Sequence, residues 1–153
     1  MSTITPFLLV DEPVEDVAAF YAAVFPGSPP ARIAHLGEGP GGPVVTATFE
    51  LCGQRFTALN GGPTRPFTEA ISFLVECEDQ PEVDRLWAAL GDGGNESVCG
   101  WLQDRYGLWW QIVPAEVLDL IAGPDPAAAE RARQAVWGMR KLDLAEVRRA
   151  HAG

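Results

Sequence analysis

The sequence predicts an α+β fold of two βαβββ modules followed by C-terminal helices. Three observations lead there. One order of patterns, a strand, a helix and then three strands, occurs twice along the chain. Breakers such as Pro26-Gly27, Gly61-Gly62-Pro63 and Gly93-Gly94 punctuate both passes. The last forty residues carry no strand pattern but open helices at recognisable caps. At 153 residues the chain is read as a single domain (1–153), large enough to hide a core without disulfide staples. Module one spans 1–64, module two 65–113 and the helical tail 114–153.

Each element has a local reason. Residues 4–10 form an apolar run that ends at Asp11-Glu12-Pro13, a buried strand. Val14, Val17, Tyr21, Val24 and Phe25 recur at helical spacing, so 14–25 reads as an amphipathic helix. Residues 31–36 read as a strand and the Gly/Pro-rich run 37–43 as a loop. Residues 44–51 and 54–60 flank Cys52-Gly53, a hairpin signal. In the second pass 69–77 alternates as a strand. Asp79 with Pro81 caps and starts a helix, Val83, Leu86, Trp87 and Leu90 give it one apolar stripe, and Gly91 ends it. A short strand is expected around 95–99. Residues 98–103 and 108–113 then flank the turn Asp104-Arg105-Tyr106-Gly107. In the tail, 114–122 is helical, Asp125-Pro126 opens a helix over 126–139, and Asp143-x-x-Glu146 is a capping-box-like start for a last one.

Composition removes whole classes of function. The formal net charge is −10 with pI ≈ 4.5, which repels phosphate backbones and anionic membranes, so neither nucleic acid nor membrane is expected as a partner. Residues 1–30 hold four acids and no base, residues 65–113 nine acids against three arginines, and the tail six of each. The only histidines are His35 and His151 and the only lysine is Lys141, so a multi-histidine metal site or a Schiff-base lysine has almost no material. Cys52, Cys77 and Cys99 are odd in number and lack C-x-x-C spacing, which fits buried thiols in a reducing compartment. With no basic leader and no long apolar stretch, a cytoplasmic location is expected.

The chain resembles a known family. The start Pro6-Phe7-Leu8-Leu9-Val10-Asp11, with Ala19-Phe20-Tyr21 and Phe25-Pro26-Gly27, is similar to the PhnB-like branch of the vicinal oxygen chelate superfamily. So are Phe49-Glu50-Leu51-x-Gly53-Gln54-x-Phe56, the run Ala58 to Pro63, Glu69-Ala70-Ile71-Ser72-Phe73 and the block Cys99 to Pro114. That branch is often labelled 3-demethylubiquinone 3-methyltransferase-like; the wider superfamily takes in glyoxalases, bleomycin-resistance proteins and dioxygenases. The resemblance implies a curved mixed sheet around a cup, and a homodimer.

In metal-using relatives the ligands stand on the first strand of each module and on the closing strands. Transferred by resemblance, to within one residue, those positions are Thr5, Phe56, Ala70 and Gln111. Thr, Phe, Ala and Gln do not make a divalent-cation site, so no metal is expected. A glycine-rich strand-to-helix turn of the kind that cradles S-adenosylmethionine is also missing, and no cofactor is expected.

Strand alternation anchored on Gln111 then gives a cup lining. Phe7 and Leu9 face in on the first strand, Phe56, Ala58 and Asn60 on the fourth, Ala70, Ser72 and Leu74 on the fifth, and Trp109, Gln111 and Val113 on the last. A tight turn pairing Gln103 with Leu108 puts Leu102 beside Trp109, and Trp101 and Trp110 in the core. The expected binding residues are therefore Phe7, Leu9, Phe56, Asn60, Ser72, Leu102, Trp109 and Gln111. An aromatic lining with a few neutral polar points suits a planar or aromatic small molecule. Three functions fit: a metal-independent binding protein, a metal-free isomerase, lyase or oxygenase-like enzyme with Gln111 and Asn60 as oxyanion donors, or a structural or regulatory dimer with a filled cup.

Overall fold

The computed structural model describes residues 1–62 and 65–153. They divide into two units, Met1–Pro66 and Phe67–Gly153. The exit expected at Pro63, and the module boundary after residue 64, fall outside the described residues.

The first unit runs β1 (Phe7–Leu9), α1 (Val14–Val24), β2 (Arg32–Gly39), β3 (Gly42–Leu51) and β4 (Gln54–Asn60). Its sheet has the order β1-β4-β3-β2, with β1 parallel to β4 and the other pairs antiparallel. Helix α1 buries Val14, Val17, Ala18, Tyr21 and Val24 against β3 and β4. Tyr21 stacks on Phe49 at 5.7 Å and Phe49 on Phe56 at 5.8 Å, with Ala47 and Ala58 fully buried in the same layer. Small residues between rings let the helix lie close to the sheet. Cys52 and Gly53 both have positive φ, 49° and 81°, the two-residue turn whose twist matches a hairpin.

The run 37–43, expected as a loop, is instead the end of a hairpin. Gly37 pairs with Val44, Glu38 with Pro43 and Gly39 with Gly42, after a register shift between His35 and Gly37. Gly37 and Gly42, at φ 100° and 111°, take backbone shapes other residues resist, and they fit a bulge and a tight turn. Glycine content signals a loop when read alone, but pairing to a long neighbouring strand overrides it.

The second unit repeats the topology. It contains β5 (Phe73–Cys77), α2 (Gln80–Gly91), β6 (Asn95–Glu96), β7 (Trp101–Gln103) and β8 (Trp109–Pro114), in the order β5-β8-β7-β6 with β5 parallel to β8. Asp79 caps α2 by accepting from the Glu82 amide at 2.9 Å, with Pro81 in the first turn. Strand β5 begins four residues later than expected, because Thr68 to Ile71 closes a turn through Ile71 N–H and the Thr68 carbonyl at 3.3 Å.

Three helices follow: α3 (Ala115–Ile121), α4 (Pro126–Trp137) and α5 (Leu144–Ala152). Asp125 accepts from the Ala127 and Ala128 amides and Asp143 from Glu146, so both expected caps form. Val117, Ala132, Val136, Leu142, Leu144 and Val147 bury one another against Val113 at the end of β8. Gln80 fastens the tail to α2: its carbonyl oxygen accepts from Leu144 N–H at 2.9 Å and its amide donates to the Leu142 carbonyl at 3.0 Å. Among the described residues no helix is long and apolar enough to cross a membrane.

Candidate functional site

The site of the second unit begins with a buried carboxylate. Asp104 is 2% exposed. One of its oxygens accepts from the amides of Tyr106 at 2.9 Å and Leu108 at 3.1 Å, and the other from the Trp110 indole at 2.8 Å. Gly107, at φ 84°, completes the turn. Asp104 N–H then bonds the Leu108 carbonyl, so Gln103 pairs with Trp109 and Trp101 with Gln111.

This register corrects two expectations. Leu102 pairs with Trp110 and is fully buried; it belongs to the core layer. Trp101, expected in the core, shares the face of Trp109 and Gln111. The assumed turn was one residue too tight, and a one-residue change turns every side chain of a strand over. Trp110 and Ile112 are buried, as expected. Val113 shares the Trp109 face by alternation, but the tail helices cover it.

The chain before β7 folds back beside these rings. Cys99 and Gly100 have φ 60° and 80°, and their amides donate to the Met139 and Arg140 carbonyls at 2.8 Å each. The tail thus anchors the loop that leads into Trp101. A cleft of about 250 Å³ lies there, lined by Trp101, Trp109, Val98, Cys99, Ser97 and Glu69. The buried Trp109 Nε1–H meets no acceptor among the described residues. On the same face Gln111 donates to Ser72 at 2.9 Å, and Leu74, in register with Gln111, is 44% exposed.

The first unit differs in chemistry. Phe7 and Leu9 alternate with buried Leu8, and Phe7 is 58% exposed on the face opposite α1. Phe56 does not join them: it lies 3% exposed in the stack under α1. Parallel pairing sets Phe7 opposite Thr57, so Thr57 and Arg55 share the Phe7 face while Phe56 and Ala58 share the helix face. Asn60 alternates with Phe56 and Ala58, and its side-chain oxygen is taken by Val45 N–H at 3.2 Å. A hollow of about 440 Å³ on the Phe7 face is lined by Thr5, Phe7, Arg32, Thr48, Arg55 and Thr57. Sequence reading missed the arginines and threonines. The signal was present in the alternation of Thr46 and Thr48 with Ala47 and Phe49.

These are the features of a recognisable family. A model of the 3-demethylubiquinone-9 3-methyltransferase family matches residues 2–113. The chain belongs to that family. It is 32% identical to a Bacillus cereus protein described as a putative 3-demethylubiquinone-9 3-methyltransferase, PhnB protein; the match covers 74% of this chain and 100% of that one, with a TM-score of 0.66. A Pseudomonas aeruginosa protein shares the fold at 18% identity, over 72% of this chain and 95% of its own, TM-score 0.57. So does the fosfomycin resistance protein FosX of Listeria monocytogenes, at 16% identity over 75% and 95%, TM-score 0.50. No curated protein matches the chain. The PhnB-like branch of the vicinal oxygen chelate superfamily, and its α+β fold of paired βαβββ modules, are therefore those of this chain.

The family implies two groups, a divalent metal and S-adenosylmethionine. At the superfamily's ligand positions stand Thr5, the Arg55-Phe56-Thr57 segment, Ala70 and Gln111. Hydroxyls, an alanine and an amide are a poor donor set, and the Arg55 guanidinium on the face of Thr57 repels a cation. Among the described residues no three His, Cys, Asp or Glu side chains gather as ligands. His35 is exposed on β2 opposite Val45. S-adenosylmethionine fits no better: the strand-to-helix connections are Val10-Asp11-Glu12-Pro13, Glu78-Asp79 and the direct step from Pro114 to Ala115, none glycine-rich. Neither group suits these residues.

The three cysteines differ in environment. Burial, helped by the nearby Glu82 charge, pushes the Cys77 thiol up to about 12. Cys52 is exposed at its hairpin turn, and Cys99 sits half-buried in the cleft wall.

Proposed function

We propose that the protein is a metal-independent small-molecule binding protein whose ligand is aromatic or planar. The observation that carries this reading is the cleft between Trp101 and Trp109. Its 250 Å³ exceeds the roughly 150 Å³ in which an apolar cavity holds benzene, so one or two fused rings fit. Indole faces offer stacking area, and the lone Trp109 Nε1–H supplies a donor for a ligand oxygen once the ring shifts to expose it. The volume speaks against a filled cup. The enzyme reading gains no support: the Gln111 amide already donates to Ser72, and Asn60 alternates with Phe56 and Ala58 on the helix face of its strand.

The reading includes a cytoplasmic homodimer. Three free cysteines are in keeping with a reducing compartment, and Ile71, Leu74 and Val98, which are 72%, 44% and 55% exposed, offer apolar surface to a second copy. Light scattering that gives one chain mass at micromolar concentration would remove the dimer.

The test is a thermal-shift screen of aromatic metabolites against the full chain. A ligand at a hundred times its Kd stabilises by about 2.7 kcal/mol, several degrees for a domain of this size. Trp101→Ala and Trp109→Ala should each abolish the shift produced by a hit. Hits that survive both substitutions, or a stoichiometric protein-bound transition metal, would overturn the proposal.

A further inference from the structure

The strongest unassigned feature is the hollow on the first unit. Residues 1–64 contain two arginines, Arg32 and Arg55, and no lysine. They lie on β2 and β4, at opposite sides of β3, and both line the same 440 Å³ hollow. The sheet register explains how. Phe7 pairs with Thr57, Thr57 with Thr48 and Thr48 with Arg32, so one row crosses all four strands on one face. Arg55 stands two residues before Thr57 and so points to that same face. Thr5 extends the row's chemistry ahead of β1.

In a chain of net charge −10, each cation would be expected to neutralise a nearby carboxylate. Neither of these arginines does so in the described residues. Glu50 is across from Arg55 in the register, yet no ion pair joins them. The Thr48 and Thr57 hydroxyls lie 3.3 Å apart between the arginines; one of the two must donate, which leaves the other's proton for a guest.

From this geometry we propose that the hollow is a binding site for a tetrahedral oxyanion, of the phosphate-monoester class, carried by a small molecule with an apolar body. Each guanidinium brings up to five N–H donors in a planar fork and each threonine a hydroxyl. That exceeds what the two oxygens of a carboxylate can accept, and matches the three terminal oxygens and double charge of a phosphate ester. Exposed Phe7, at the end of the row, offers a face for the ester's apolar group. The site does not depend on the cleft of the second unit.

The test is calorimetric titration of the full chain with phenyl phosphate, inorganic phosphate and acetate at low ionic strength. Phenyl phosphate should bind saturably and acetate at least about tenfold more weakly, because it forfeits one or more charge-assisted hydrogen bonds. Arg32→Gln and Arg55→Gln should each weaken phenyl phosphate by about tenfold or more, Glu50→Gln should tighten it by removing a like charge, and Arg140→Gln, the same charge change at an exposed tail position, should leave it unchanged. Both arginines are exposed, so circular dichroism should show the variants folded, and Arg55→Lys should restore only part of the loss. Inorganic phosphate binding as tightly as the ester would identify the free anion as the guest and keep the site. Equal affinity in wild type and both arginine variants, or the absence of saturable binding, would overturn it.

Discussion

The Trp110 indole donates to the Asp104 carboxylate at 2.8 Å, and each residue is 2% exposed. This contact, with the two amide bonds on the other carboxylate oxygen, sets the length of the β7–β8 turn. The turn in turn decides that Trp101 and Trp109 share a face.

Removing either partner should be costly, because a buried polar group that loses its partner keeps its desolvation penalty. Asp104→Ala should destabilise by about 3 kcal/mol and Trp110→Phe by about 2 kcal/mol in urea unfolding. Trp109→Phe makes the contrast: its Nε1–H has no partner among the described residues, so its loss should move stability by no more than about 1 kcal/mol. A Trp109→Phe loss equal to that of Trp110→Phe would contradict the assigned bonding.

The thiols should separate by burial. A thiol-specific reagent near pH 8 should modify exposed Cys52 and leave Cys77 untouched until the chain unfolds. The folded thiol has its pKa raised to about 12, above its unfolded value of about 8.5. The unfolded chain therefore gives up this proton first as pH rises. The contribution to stability is full below about pH 8.5 and is lost between there and about 12. Wild type should lose stability over that range faster than Cys77→Ala; parallel curves would refute the shift.

Gln80 joins α2 to the tail through two backbone groups. Gln80→Ala should cost about 1–2 kcal/mol and lower hydrogen-exchange protection in α5, leaving β3 and β4 unaffected. Equal protection in α5 would show that the apolar cluster holds the tail without it.

Gly100 and Gly53 make a matched pair, with φ 80° and 81°. A Cβ on Gly53 meets nothing within 4 Å, whereas one on Gly100 would sit 2.9 Å from the Ile112 carbonyl and 3.1 Å from Leu142. Gly53→Ala should cost about 1 kcal/mol for the backbone alone. Gly100→Ala should cost clearly more, about 3 kcal/mol or above, and should also loosen the loop beside the cleft. Similar losses at both positions would show that the loop yields freely.

Much of the fold was legible in local chemistry. The stripe over Val14 to Val24, the Asp79, Asp125 and Asp143 caps and the Cys52-Gly53 hairpin each depend on neighbours within a few residues. Reading failed where a strand's ends or face depend on a distant partner. The glycines at 37–42 pair because β3 is long enough to hold them, and β5 starts late because a turn captures Ile71. For the site, alternation placed Phe7, Leu9, Ser72, Trp109 and Gln111 away from the helix layer, where the structure also has them. It placed Phe56, Asn60 and Leu102 on the wrong face.

By itself the sequence determined the α+β class, the doubled βαβββ order and the poverty of metal-ligand residues. These follow from periodicity, caps and composition, which are local or additive. Tertiary structure alone decided which face each strand presents. A carboxylate buried six residues from its indole partner set the register of β7 on β8, and the antiparallel pairing of β3 with both β2 and β4 brought Arg32 and Arg55 to one hollow. Side chains alternate with a period of two, so a single residue of register, invisible locally, exchanges core for site.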